Sequence, residues 1–213
     1  MKRSTDSLIS DMAAELQPVT PLRTRDGLLM VVAAALLTAV GVGLLAGFWR
    51  GVWAGEASTF FVLTNGLLLI LGCAGTASVL RMASPRVGNR HEGPRWAALG
   101  VAILPLAALL ALLGDEHATE ALDTLYGVKC MGSAMAASSL TALALFLWLR
   151  RGAPVAPDTA GLHLGVASTA LGSAAYGLAC PLDGAVHLGV WHVLPVVLGA
   201  VIGRYLLAPL LRW

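Results

Sequence analysis

Six stretches of about 20 apolar residues, each bounded by a short cluster of charge, constrain this 213-residue chain more than anything else in it. A helix needs about 20 residues to cross the roughly 30 Å hydrocarbon core of a bilayer. The stretches run from about Gly27 to Phe48, Ser58 to Leu80, Pro94 to Gly114, Val128 to Leu149, Thr159 to Cys180 and Ala185 to Leu207. Only 12% of the residues are charged, against roughly a quarter in a soluble domain. Lipid cannot satisfy an open sheet edge, so helices are the expected solution. The expectation is an all-α polytopic membrane protein with six transmembrane helices.

The basic residues set its orientation. Lys2, Arg3, Arg23, Arg25, Arg81, Arg86, Arg90, Arg95, Arg150, Arg151, Arg204 and Arg212 would share one side of such a bundle, leaving Arg50 and Lys129 on the other. Basic loops favour the cytoplasm, so both termini are expected there. The acidic segment "DEHATEALD", Asp115 to Asp123, would face outward. The polar first 20 residues precede a full span, which is not the pattern of a cleavable signal peptide. Two units follow: residues 1–25, a cytoplasmic segment, and residues 26–213, a six-helix bundle.

Small residues at i and i+4 let helix backbones approach closely. "GVGLLAG" (Gly41 to Gly47), "GLHLG" (Gly161 to Gly165) and "GAVIG" (Gly199 to Gly203) are therefore read as packing faces. Cys73 reads as a small packing residue, Asn65 as an interhelical hydrogen-bonding group and Trp191 as an interfacial anchor.

"CPLDGAVHLGVWH", Cys180 to His192, is unlike the rest. It gathers a thiol, a carboxylate and two imidazoles between apolar runs. Cys130 begins the fourth span and Cys180 ends the fifth, and each lies 25 residues from Val155 in the connecting loop. Equal chain length from the turn means equal height in an antiparallel pair, so the two thiols should face each other near the outer edge. A thiol pair in an oxidising compartment is either a staple or a pair poised to react. Thiolate with imidazole is also the ligand set of soft and borderline metals, which makes His187, His192 and Asp183 candidate ligands beside Cys130 and Cys180. Five residues separate the histidines, about 140° on a regular helix. They could share one ion only if His187 lay outside a continuous helix.

At the other end, Leu8, Ile9, Met12 and Leu16 form one apolar stripe in "DSLISDMAAELQPVTPLR", with Pro18 expected to end the helix. A helix this short is marginal alone. It would order by laying its stripe in a partner's groove or on the inner leaflet. Asp11 and Glu15 weigh against an anionic lipid surface.

No CxxC, HExxH or phosphate-binding glycine loop is present, so no enzyme is expected. No Asp or Glu sits at the midplane of a span, which disfavours the alternative of a small transporter or channel for metal or another solute.

"LISDMAAELQPVTPLR" near the start, six spans and "AYGLACPLDGAVHLGVWH" near the end resemble the NrsF-like family of bacterial inner-membrane anti-sigma factors. These are negative regulators of extracytoplasmic-function sigma factors. The resemblance implies that the cytoplasmic segment holds a sigma factor through the Leu8, Ile9, Met12 and Leu16 stripe. It also implies that Cys130 and Cys180 sense heavy metals or oxidants. The expected partners are then an extracytoplasmic-function sigma factor and the lipid bilayer, with no direct nucleic-acid contact and no small-molecule substrate. No resident cofactor is required, a heavy-metal ion being at most the signal.

Overall fold

A computed structural model of the chain describes residues 4–16, 21–85, 92–114 and 124–212. Lys2, Arg3, Pro18, Arg86, Arg90, His91 and the 115–123 segment lie outside the described residues. Among those described, every regular element is helical.

Helix α1 covers Thr5–Ala14. Ser4 caps it, its hydroxyl accepting from the Ser7 N–H at 3.2 Å. It stops before the position Pro18 would dictate, so Leu16 lies beyond its last turn. Glu15 at the C-terminal end opposes the helix dipole, which favours an early stop. Helix α2 (Thr24–Leu45) is followed by a short α3 (Arg50–Ala54), which the apolar pattern does not announce. Gly55 closes α3 with φ 74°, a left-handed conformation that glycine adopts without strain. Helices α4 (Thr59–Met82), α5 (Glu92–Gly114), α6 (Thr124–Arg151) and α7 (Pro157–Gly177) come next. The last stretch is composite: α8 (Ala185–His187), a π turn (Leu188–His192), α9 (Leu194–Ile202), a second π turn (Gly203–Leu207) and a 3₁₀ turn (Ala208–Leu211).

Five of these are long and apolar enough to cross a membrane: Thr24–Leu45, Thr59–Met82, Gly93–Gly114, Thr124–Arg151 and Ala185–Leu211. The sixth expected span corresponds to α7, which is 21 residues long but rich in Ala, Gly, Ser and Thr. Its position explains that composition. It is the central helix, packed on α4, α6 and α9, and small residues there allow close backbone approach.

The closest approach is between α7 and α9. A side chain at Gly161 or Gly165 would collide with the Gly203 and Gly199 carbonyls. The packing expectation is therefore met on these two helices. It is not met by "GVGLLAG": Gly41 and Gly47, the latter past the end of α2, have open space around them, and Gly43 meets only the Phe48 ring just beyond the same helix. Only Gly27, Val31 and Ala34 of α2 are buried, because α2 lies on the outside of the bundle. Cys73 is likewise exposed, in a groove between α2 and α4, rather than packed. Asn65 bonds within its own helix, Nδ2 donating to the Phe61 carbonyl at 3.0 Å, so the interhelical bond expected of it is absent.

At one end of the bundle, Ala153 donates to the Ala83 carbonyl at 2.9 Å, and Arg212 pairs with Asp158 at 3.0 Å. There Trp148 of α6 covers Gly27 of α2 and donates from Nε1 to the Leu80 carbonyl at 3.3 Å.

Candidate functional site

The other end of the bundle holds the cysteines. Cys130 projects from the second turn of α6, and Cys180 lies just past α7. The two sulfurs are 3.7 Å apart, at the common level that the count from Val155 expects. Both are free thiols. Cys180 Sγ is 3.5 Å from His187 Nε2, and His187 packs edge-on against His192 with ring centroids 5.6 Å apart.

One ligand atom from each of Cys130, Cys180, His187 and His192 thus falls within 4.8 Å of every other. All four side chains are between 0 and 3% exposed. The cluster draws on α6, the segment after α7, α8 and the first π turn.

The helical geometry that brings the histidines together is not the regular one. On an α-helix residues five apart diverge, but the i→i+5 turn of a π-helix widens the coil and returns them to one face. The cause is legible in the chain. Pro195 has no N–H to donate to the Trp191 carbonyl, and its ring crowds that carbonyl. The preceding turn relieves the conflict by widening. The divergence of about 140° expected on a regular helix is therefore overturned, with His187 on a short helix rather than in a loop.

Burial without partners sets the electrostatics. His192 Nδ1 and Nε2 and His187 Nδ1 are buried and make no hydrogen bond. An unpaired buried polar atom costs about 1–3 kcal/mol. Tyr176 stacks on the His192 ring, centroids 6.3 Å apart. The same tyrosine lines an open cavity of about 700 Å³ between α2, α6 and the end of α7, with Ser133 and Lys129 on its walls.

Asp183 stands outside this cluster. Its carboxylate accepts from the Ser58 N–H at 2.9 Å, and the Ser58 hydroxyl donates to its carbonyl at the same distance. Ser58 in turn caps α4 by accepting from the Phe61 N–H. The reciprocal bond of a capping box is thus supplied from the far side of the sequence. Trp191 is not an exposed anchor either: its indole lies over Gly127 of α6, where a side chain would collide, and its Nε1 is buried.

Helix α1, at the start of the chain, buries none of its residues. Leu8, Ile9, Met12 and Leu16 are between 47 and 77% exposed. Where α2 begins, Leu22, Arg23, Asp26, Trp148 and Arg151 border a cavity of about 600 Å³.

Residues 12–213 match the family model described as "Negative regulator of sigma F". The chain is 31% identical over 147 residues to the anti-sigma-F factor NrsF of Caulobacter vibrioides, with 68% of each chain covered. It is 27% identical over 157 residues, 72% of each chain, to the probable anti-sigma-F factor NrsF of Azospira oryzae. No solved structure matches it significantly.

Proposed function

On the footing that this chain belongs to the NrsF family of negative regulators of sigma F, we propose that it is a membrane-embedded anti-sigma factor. Its α1 holds an extracytoplasmic-function sigma factor against the inner membrane. The carrying observation is α1 itself. It is a capped helix carrying Leu8, Ile9 and Met12, with Leu16 just beyond its end and no buried residue, a face that folding of the bundle leaves for another protein to cover.

In this reading α7 spans the membrane as the central sixth helix. Both termini face the cytoplasm, by the placement of the basic residues. Cys130 and Cys180 then lie at the periplasmic end, where a metal ion or an oxidant reaches them. Helix α6 joins the two poles, with Cys130 near one end and Trp148 near the other, against Gly27 at the root of α2. A change in packing around Cys130 moves α6, shifts Trp148 against Gly27, and alters how α1 is presented. The protein acts by binding and release and catalyses nothing.

The test is Leu8→Asp with Met12→Asp in the full chain. Two apolar anchors at about 2 kcal/mol each weaken an interface about a thousandfold. Neither residue is buried in the bundle, so the protein should reach the membrane at normal level while sigma-dependent transcription turns on without a stimulus. Undiminished repression by the doubly substituted protein refutes the assignment.

A further inference from the structure

We propose that Cys130, Cys180, His187 and His192 form a closed four-coordinate site for a divalent d¹⁰ cation of the zinc class. The histidines are ligands equal in standing to the cysteines. The inference deepens the reading of the cysteine pair as the signal input and rests on it for its regulatory meaning, though not for the binding itself.

The distances carry it. A tetrahedral centre with metal–sulfur bonds of about 2.3 Å and metal–nitrogen bonds of about 2.05 Å places its sulfurs about 3.8 Å apart, and sulfur and nitrogen about 3.6 Å apart. The sulfurs here are 3.7 Å apart, and Cys180 Sγ lies 3.5 Å from His187 Nε2. The remaining pairs are within 4.8 Å, so closing the tetrahedron takes side-chain shifts of about 1 Å.

Charge points the same way. Binding takes M²⁺, two thiols and two neutral imidazoles to an uncharged complex, with two protons released to solvent. A site with no net charge avoids the large penalty of burying an unpaired ion. It also gives a partner to His192, both of whose ring nitrogens otherwise make no hydrogen bond. Hard cations are disfavoured because they take oxygen ligands, and the carboxylate of Asp183, between Cys180 and His187 in the chain, is held by Ser58. The cavity lined by Tyr176, whose ring stacks on His192, also takes in Lys129, Ala179 and Pro181, the chain neighbours of Cys130 and Cys180, so it borders the cluster. Four ligands leave no open position, as in metal sites that hold structure rather than perform chemistry.

The experiment uses the full chain in detergent, kept reduced, stripped with a chelator and titrated with Zn²⁺ and with Co²⁺. We expect one ion per chain and about two protons released per ion. The cobalt form should show thiolate-to-metal charge transfer and tetrahedral visible bands. His187→Gln and His192→Gln should each weaken binding more than about tenfold, as loss of a supporting group alone already does in metal sites. X-ray absorption of the zinc-loaded wild type should show two sulfur and two nitrogen neighbours, and this needs no variant to fold. Failure of the reduced chain to bind an ion overturns the inference. So does binding untouched by both histidine substitutions, or an absorption shell without nitrogen. No sigma factor enters these measurements. A chain that binds no metal leaves the anti-sigma reading standing, and one that binds metal without repressing sinks only that reading.

Discussion

Gly165 and Gly41 occupy look-alike small-residue motifs, and the structure gives alanine opposite effects at the two. At Gly165 an added Cβ would lie 2.6 Å from the Gly199 carbonyl carbon and 3.2 Å from Gly203 Cα, backbone atoms that cannot rotate away. Ordinary carbon contacts are about 3.5–4.0 Å, so α7 and α9 must part by about 1 Å there. A gap of that size forfeits up to half of a contact energy of about 0.1–0.2 kcal/mol per atom pair. Over on the order of 40 pairs, the count for one buried leucine, the loss is about 2 kcal/mol. Alanine returns about 1 kcal/mol of helix propensity, leaving Gly165→Ala destabilised by about 1 kcal/mol. At Gly41 nothing lies within 4 Å, so only the propensity gain remains. For a chain of this size 1 kcal/mol moves the midpoint by about 2–4 °C. The two variants should therefore melt about 4–8 °C apart, on either side of the wild type, in a thermal scan of the detergent-solubilised protein followed by circular dichroism. Equal shifts, or Gly41→Ala melting below Gly165→Ala, would refute the assignment of the α7–α9 contact.

Asp183→Asn keeps an acceptor for the Ser58 N–H and should fold normally with unchanged zinc affinity. Asp183→Ala removes a part-buried charged hydrogen bond worth about 1.5–3 kcal/mol and should lower the melting midpoint; a selective loss of metal in the Asn variant would make Asp183 a ligand instead. Reporter fusions after Pro94 and Trp213 should read cytoplasmic and a fusion after Glu120 periplasmic, and a C-terminus outside would remove the cysteine cluster from the oxidising side.

Much of this architecture was legible because hydrophobic thickness is a length, and length can be counted. The level match of Cys130 and Cys180 needed only the count from Val155. Helix α7 was found by the same count, although its Ala, Gly, Ser and Thr content reflects neighbours rather than lipid. What escaped was everything that depends on which surface has a partner. "GVGLLAG" and "GAVIG" read alike, yet only the second meets another backbone. Asp183 looked like a ligand because its bond to Ser58 spans 125 residues, and no local pattern reveals that. The histidine pair was misjudged by assuming a regular helix. Pro195, three residues beyond His192, was the available signal.

The π turn at Leu188–His192 works one surplus residue into the thread of the last helix, ahead of the second π turn at Gly203–Leu207. Were that residue taken up into regular pitch, everything beyond it would turn by about 100° and advance about 1.5 Å relative to the rest of the bundle. His192 sits at the near end of that thread. At the far end, Arg150 donates to the Leu210 carbonyl at 2.9 Å, and Arg212 holds Asp158. Pro195 holds the thread wide without any bond at the His192 ring nitrogens, so the helical phase between the cysteine end and these two arginine contacts is set by the sequence itself.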